Sequence, residues 1–307
     1  MRSFKVVVRC LTFNHSPYIE DAMNGFCMQQ TNFPFLCMIV DDASTDGEQN
    51  VIKNYLKSNF LLDENNGMQT EETDDYTSIF ARHKKNTNCF FVIIYLKYNH
   101  YQIKKSKTSY YDIYEKDANY IALCEGDDYW INPQKLQKQV EYMEAHPDCS
   151  LCFHANRNLH SDGTFNDHYI YEKDMNECPM SDLIMGGGGI MATASMMYLK
   201  TAVDNYPLWP GKCGIGDAPL MLVLAERGKV AYLNELMCVY RVATEGSWTQ
   251  RVRKRGKNYK QHYRRILQMW DDYDEWSGYK HHNYVKKKKL KQRMHYYVKR
   301  VLFLIRN

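Results

Sequence analysis

We expect this chain to fold as an α/β protein in which a mostly parallel sheet is flanked by helices. Apolar, strand-like runs alternate with helical stretches over its first half, which is typical of such a sheet. Polar and acidic side chains directly follow three of the apolar runs. The length of 307 residues suits one large α/β domain with an appendage.

The predicted elements have local signals. The first helix begins at Ser16 and Pro17, because serine suits a helix cap and proline suits the first helical turn. Leu136, Val140 and Met143 recur at helical spacing. The predicted strands span residues 4–8, 36–40, 89–96, 119–124, 150–154 and 192–199, and helices run from 16 to about 30, from 48 to about 57, and from 134 onward.

Two stretches look less regular. Residues 61–88 are polar and acidic and indicate an exposed insertion, and residues 98–109 form a basic loop. Residues 251–307 carry 18 Lys or Arg against 4 Asp or Glu, whereas residues 1–250 carry 22 against 32. We therefore predict an acidic α/β domain over residues 1–250 and a basic helical extension over residues 251–307.

The sequence also bears on the compartment. It has no run of 18 apolar residues, and its first residues lead straight into a strand without the layout of a signal peptide. The ten cysteines are scattered, and Cys149 and Cys152 form a lone C-x-x-C, which makes zinc the weaker alternative. We expect a cytoplasmic protein with reduced, buried thiols.

The most informative stretch is an apolar run that ends in three acids. Glu125, Asp127 and Asp128 emerge together where the strand should stop. Carboxylates this close repel one another, and a divalent cation with a preference for oxygen ligands, Mg²⁺ or Mn²⁺, would offset that repulsion. The alternative is a polar turn in which Gly126 supplies the bend.

Other polar residues should meet these acids, because ligands of open α/β sheets bind outside the carboxyl ends of the strands. Asp42 could accept the N3–H of a uracil, and the ring of Phe13 could pack on the base. Asp41 and Asp42 could instead cap the next helix. Lys105 and its basic neighbours could meet a diphosphate or simply face water. The candidate nucleotide-binding residues at this stage are Thr12, Phe13, Asn14, Asp41, Asp42 and Lys105.

Four motifs together resemble the family 2 inverting glycosyltransferases, and more closely their bacterial cell-surface polysaccharide branch. They are residues 12–19, 30–35, 41–47 and 125–130, and their order and spacing agree over about residues 4–250. The resemblance implies a GT-A fold, a nucleotide-diphosphate sugar donor and a divalent cation. It implies that Asp42 binds the base with Asp41 beside it, that Asp127 and Asp128 bind ribose and metal, with Glu125 leading the motif, and that Asp217 is the catalytic base.

Two of these implied roles have alternatives. Asp217 precedes a proline at the start of a predicted helix, so it could serve as a helix cap, although an ionised cap could still act as a base. Residues 240–248 resemble the family's closing motif, but Ala243 stands where that motif commonly has histidine. Arg241 could take over part of that residue's contact with the diphosphate.

The expected function is metal-dependent inverting transfer of a sugar, from a UDP-sugar by preference, to a hydroxyl of a glycan or lipid-linked acceptor. GDP is the rival nucleotide. A sugar-phosphate nucleotidyltransferase is a second possibility, but residues 10–14 lack the glycine-rich loop that it would need. A non-catalytic scaffold would have lost the acids. Binding of nucleic acid is not expected, because the acidic body would repel a long polyanion.

The basic extension ends in an amphipathic pattern from Leu290 onward. Lysines and arginines surround this pattern, so the helix could lie on an anionic membrane as a peripheral anchor over residues 285–307. The alternative is that the helix docks on the catalytic domain. The apolar positions are Leu290, Met294, Tyr297, Val298, Val301 and Ile305.

Overall fold

A computed structural model describes residues 3–172, 176–244 and 256–306, with the side chains of 256–259 and 299–306 outside that description. Twelve strands of these residues form one sheet with helices on both faces. The strands are β1 (Val6–Thr12), β2 (Phe35–Asp41), β3 (Phe60–Leu61), β4 (Gln69–Glu72), β5 (Tyr76–His83), β6 (Cys89–Leu96), β7 (Tyr120–Leu123), β8 (Tyr129–Trp130), β9 (Cys149–Leu159), β10 (Phe165–His168), β11 (Met197–Leu199) and β12 (Lys229–Arg241). The helices are α1 (Ile19–Cys27), α2 (Glu48–Asn59), α3 (Thr108–Glu115), α4 (Lys135–Ala145), α5 (Met180–Gly186), α6 (Pro210–Cys213), α7 (Asp217–Arg227), α8 (Gly256–Trp276) and α9 (His282–Arg306).

The sheet is parallel at its centre and antiparallel toward its ends. The strand order is β3-β5-β6-β2-β1-β7-β11-β9-β12-β8, with β4 beside β5 and β10 beside β9. Strands β6, β2, β1 and β7 are parallel neighbours, as are β9 and β12. Thr12 pairs with Asp41, so β1 and β2 end side by side. The predicted α/β class is confirmed, in the form of a mixed sheet.

Two apolar layers cover the sheet because alternate strand residues point to opposite faces. On β1, Val6 and Val8 pack in the layer that includes α1, α2 and α4. Val7 packs in the opposite layer, which includes α5, α7 and residues of α8 and α9 such as Trp270 and Val285. The C-terminal helices are therefore part of the second core.

Three sequence predictions about elements are corrected. Residues 61–88 are not an irregular insertion, because β5 pairs along β6 and buries Tyr76 and Ala81. The first helix begins at Ile19 rather than Ser16, and the sequence missed the long strand β12. The strand predicted at 192–199 is shortened, because residues 193–195 form a 3-10 turn before β11.

The helical nature of the extension is confirmed, and its helices contact the rest of the protein. α8 contacts α6 and α7, and α9 contacts α5. The proposed boundary at residue 250 falls within residues 245–255, outside the described part of the chain. Among the described helices, none combines the length and apolar character that a membrane crossing requires.

Candidate active site

A cleft of about 1140 Å³ lies where the central parallel strands end. One wall carries Thr12, Phe13 and Asp42 from the ends of β1 and β2. Glu125 and Asp127 follow β7 on the floor, and the segment around Gly187, together with α7, α8 and α9, forms the far wall. We expected polar residues that follow different strands to come together. Thr12, Asp42, Glu125 and Asp127 do so in this cleft.

The acid motif forms a tight cluster, of which Glu125 and Asp127 line the cleft and Asp128 does not. Glu125, Asp127 and Asp128 each offer a carboxylate oxygen within 4.8 Å of the others. Asp128 is completely buried, and its Oδ1 accepts the backbone N–H of Arg241 at 2.8 Å. Its Oδ2 has no hydrogen-bond partner among the described residues. Burial, followed by the charge of Asp127, raises the pKa of Asp128 well above its ordinary value.

The chemistry of this cluster fits a divalent cation. Glu125 exposes part of its side chain to the cleft, while desolvation of its carboxyl group and the charges of Asp127 and Asp217 raise its pKa to about 8. A buried carboxylate oxygen without a partner, next to two further carboxylates, is costly unless a cation compensates it. Asp128 and Asp127 are the residues that would hold the cation, and oxygen ligands suit Mg²⁺ or Mn²⁺.

Gly126 is required for this placement. A Cβ at Gly126 would lie 2.2 Å from Thr12 Oγ1, which no real contact allows. Thr12 itself is buried and donates its hydroxyl to Glu48. The missing side chain therefore lets the acid motif pack directly against the end of β1. The sequence suggested that Gly126 supplies a bend in a polar turn. In the structure it lies in a turn and also allows this close packing.

Asp217 is the first residue of α7 and lines the same cleft. Gly216, not Asp217, is the helix cap residue, and no side-chain cap hydrogen bond is formed. Burial raises the pKa of Asp217, while nearby backbone N–H groups of the helix start act in the opposite direction. Its carboxylate is close enough to Glu125 to raise the pKa of that residue. The structure thus brings the candidate base to the acidic cluster.

Asp42 is held firmly on the opposite side of the cleft. Its Oδ1 accepts the backbone N–H of His100 at 2.7 Å, and its Oδ2 accepts the backbone N–H of Tyr101 at 3.2 Å. Lys107 Nζ also donates to Oδ2 at 2.9 Å. Lys107 therefore lines the cleft from the basic loop that the sequence indicated, next to Asp42.

Three predicted nucleotide-binding residues do not line the cleft. Asp41 is fully buried and accepts hydrogen bonds from Ser44 and Gln49; burial raises its pKa to about 6. Asn14 Oδ1 accepts the backbone N–H of Thr45 at 2.8 Å. Lys105 pairs with Asp75 at the surface, 2.6 Å away. Their side chains hold loops together, and Lys107 takes the position in the cleft that we expected for Lys105.

Arg241 supports the acidic cluster. Its Nη1 donates to the backbone carbonyl of Asp127 at 2.7 Å, and its Nη2 contacts Asp21. The guanidinium also lies over the rings of Tyr18 and Tyr129, 4.8 and 4.6 Å from their centroids. These contacts hold the end of β12 against the acid motif. A contact between Arg241 and the diphosphate of a donor stays a prediction.

Sequence reasoning missed other cleft residues. His15 lies in the first motif, with Nε2 3.9 Å from Asp127 Oδ2. The C-terminal helices contribute a wall that no sequence motif indicated. Its residues are His262, Ile266, Met269, Trp270, Lys288 and Gln292.

Comparisons with known proteins bear on the fold and the class of protein. No protein-family model matches the chain. An uncharacterized protein of Mycobacterium tuberculosis is 30% identical over 241 residues, which cover 78% of this chain and 59% of the relative. A putative teichuronic acid biosynthesis glycosyltransferase of Bacillus subtilis, TuaG, is 24% identical over 250 residues, covering 79% and 81%. The chain thus spans less than two thirds of the mycobacterial relative.

Two solved structures share the fold. TarS 1–349 of S. aureus, in complex with UDP-GlcNAc, has a TM-score of 0.53 at 14% identity, covering 87% of this chain and 65% of TarS. The mannosyltransferase PcManGT of Pyrobaculum calidifontis, in complex with GDP-Man and Mn²⁺, has a TM-score of 0.53 at 13% identity, covering 89% and 64%. The fold is therefore the GT-A fold of glycosyltransferases, as the resemblance implied.

Proposed function

We propose that the protein is a metal-dependent, inverting glycosyltransferase that acts in the synthesis of a cell-surface polysaccharide. It would transfer a sugar from a UDP-sugar to a hydroxyl of a glycan or lipid-linked acceptor. The observation that carries this proposal is a single cleft lined by Asp42, by Glu125 and Asp127 of the acidic cluster, and by Asp217. The glycosyltransferase relative TuaG and the GT-A fold support it.

Each group has a task in the proposed reaction. Asp217 accepts the proton of the acceptor hydroxyl while that oxygen attacks the anomeric carbon from the face opposite the leaving group. The new bond joins the acceptor oxygen to that carbon, and the bond from the carbon to the diphosphate oxygen breaks. A bound cation would supply charge stabilisation for the departing diphosphate. The fixed positions of Asp42 and Asp217 supply proximity and orientation.

The uridine preference rests on Asp42. The backbone N–H groups of His100 and Tyr101 fix its carboxylate, and Oδ2 becomes an acceptor for the uracil N3–H when Lys107 leaves it. Lys107 of the basic loop pairs with Asp42, and its ammonium group could turn toward a bound diphosphate. TarS, solved with UDP-GlcNAc, supports this choice, and PcManGT, solved with GDP-Man, represents the rival.

The test is donor turnover with a panel of UDP- and GDP-sugars, with and without Mn²⁺. We expect nucleoside diphosphate release only with the cation, and loss of that release in Asp128→Asn. Asp204→Asn is the matched control, because Asp204 is a surface carboxylate paired with Lys200. Turnover that is equally fast in the presence of a chelator would contradict the proposal.

We also propose a cytoplasmic location at the inner face of the membrane. The ten cysteines are unpaired, and nine of them are buried, which supports a reducing compartment. On α9, Val285 and Lys288 face the core, whereas four apolar side chains expose 57–62% of their surface. These four are Leu290, Met294, Tyr297 and Val298. The side chains of residues 299–306, including the predicted positions Val301 and Ile305, lie outside the description.

The partner that fits this exposed stripe is an anionic bilayer. Exposed basic residues flank the stripe on the same helix, and each contributes about 1 kcal/mol near an anionic surface. We expect the protein to sediment with anionic liposomes in a salt-sensitive manner, and Leu290→Glu/Met294→Glu to abolish this. Leu208→Glu, at an exposed apolar residue elsewhere, is the control. Equal sedimentation of all three proteins would refute the membrane contact. The basic residues are Lys286, Lys287, Lys291 and Arg293.

A further inference from the structure

The far wall of the cleft contains a buried lysine without a carboxylate partner. Lys288 of α9 is only 8% exposed and lines the cleft. Its Nζ donates one hydrogen bond, to the backbone carbonyl of Met185 at 2.7 Å, and no ion pair is recorded for it among the described side chains. Burial lowers its pKa to about 8. A buried ammonium group with two unused donors is costly unless an anion compensates it.

A second unsatisfied donor stands beside this lysine. Lys288 Nζ lies 5.9 Å from the ring centroid of Trp270, which also lines the cleft. Trp270 is 1% exposed, and its indole N–H has no hydrogen-bond partner in the described part of the protein. Two neighbouring side chains that line the cleft therefore carry buried donors without an acceptor, which acceptor oxygens of a ligand would satisfy.

The lysine is a near neighbour of the candidate catalytic base. A Cβ at Gly187 would lie 3.0 Å from Lys288 Nζ, and a Cβ at Gly188 would lie 3.0 Å from Asp217 Oδ2. Consecutive Cα atoms are about 3.8 Å apart, so these two charged groups flank adjacent residues of one segment. They do not form an ion pair. The lysine thus lines the cleft along the same glycine segment as the base that receives the acceptor proton in the proposed reaction.

From this geometry we infer that Lys288 and Trp270 form a subsite for an oxyanion group, phosphate or carboxylate, of the acceptor. The inference rests on the proposed function, because Asp217 identifies this end of the cleft as the acceptor side. It narrows the acceptor to an anionic glycan, in which a sugar phosphate or a uronic acid lies next to the hydroxyl that reacts. The C-terminal helices would then recognise the acceptor, whereas the strands recognise the donor.

The experiment uses the full chain, saturated with UDP and Mn²⁺ so that the diphosphate position is filled. Affinities are measured by calorimetry for three probes: methyl glucoside, methyl glucuronide and glucose 6-phosphate. We expect the charged probes to bind at least tenfold more tightly than the neutral one. Tighter binding of methyl glucuronide would indicate a carboxylate subsite, and tighter binding of glucose 6-phosphate a phosphate subsite.

Two variants of α9 give the matched comparison. Lys288→Met should weaken the charged probes by about ten- to a hundredfold and leave the neutral probe unchanged, as for loss of a buried charge partner. Lys287→Met removes the same charge from an exposed neighbour and should leave the affinities of all three soluble probes unchanged. Equal binding of charged and neutral probes, or equal effects of the two variants, would overturn the subsite.

Further controls separate this inference from the proposed function. A titration with UDP alone reports the donor site, so wild-type protein that fails to bind UDP refutes the function and not the subsite. A Lys288→Met protein that loses UDP affinity as strongly as probe affinity would assign the lysine to the donor instead. If that variant does not fold, Trp270→Phe removes the indole N–H together with part of the ring, and unchanged affinity for the charged probes would contradict the inference.

Discussion

Replacement of Asp128 by asparagine should have opposite effects on the protein with and without metal. Asparagine keeps an acceptor for the N–H of Arg241, which lies 2.8 Å from Oδ1. It removes a buried charge whose second oxygen has no partner and whose neighbours, Asp127 and Glu125, are also acidic. Without metal, we expect the variant to be more stable than the wild type by about 1–2 kcal/mol, the lower part of the range for an unsatisfied buried polar group, because the amide removes the charge but leaves its own N–H without a partner.

With metal, the order should reverse. A cation present at 100 times its dissociation constant stabilises the folded state by about 2.7 kcal/mol. For a domain of this size, that corresponds to a rise in Tm of about 4–5 °C. If loss of the Asp128 charge weakens the cation about a hundredfold, the same concentration stabilises by only about 0.4 kcal/mol, or about 1 °C. The variant should therefore be more stable than the wild type in the absence of metal, and its Tm should hardly respond to Mn²⁺.

The assay is thermal unfolding of both proteins over a series of Mn²⁺ concentrations, with a chelator as the zero point. Asp41→Asn is the control, because Asp41 is equally buried at the end of β2 but contacts Ser44 and Gln49 instead of the cluster. Its response to Mn²⁺ should equal that of the wild type. A full metal-induced rise in Tm in Asp128→Asn would refute the role of Asp128 as a ligand.

The remaining predictions address the base, the nucleotide and a buried lysine. Asp217→Asn should lower transfer by about two to four orders of magnitude and leave the UDP-dependent rise in Tm intact; normal transfer with a lower Tm would leave only a structural role. UDP should raise Tm more than GDP at equal concentration with Mn²⁺, and the reverse order would contradict the contact of Asp42 with uracil. Lys135 is fully buried and its pKa is lowered to about 8, so the unfolded chain binds more protons between pH 8 and about 10.4. The free energy of unfolding should therefore rise with pH across that window, by up to roughly 3 kcal/mol more than in Lys135→Met, as measured by urea unfolding; parallel pH profiles would disprove this.

The part of the site that the sequence predicted depends on strand ends. Parallel strands finish at the same edge of a sheet, so residues after β1, β2 and β7 had to meet. Strand ends alone could not separate Asp41 from Asp42, which point to opposite sides, and the choice of Asp42 as the base-binding acid rested on the resemblance. Only the packing of residues 98–107 shows that Asp42 lines the cleft and that Lys107, not Lys105, reaches it.

The missed features have physical reasons of their own. β5 carries polar residues on its exposed face, and as a strand near the sheet edge it lacks the continuous apolar run of a central strand. In β12, an irregularity between Leu233 and Cys238 interrupts the alternation that predicts a strand. The contact of Lys288 with Met185 joins residues 103 positions apart, so only tertiary packing brings α9 to the cleft.

The contacts between Arg241 and the acid motif join two parts of the chain that are synthesised at different times. The backbone of Arg241 bonds to a carboxylate 113 residues earlier in the chain, and its side chain holds the neighbouring carbonyl. During synthesis, Glu125, Asp127 and Asp128 emerge long before β12 exists to contact them. The central strands can pair first, while the three acids repel one another without their anchor. A nascent chain that stops before residue 241 would therefore lack the contacts that fix the acidic cluster, even where its central strands have paired.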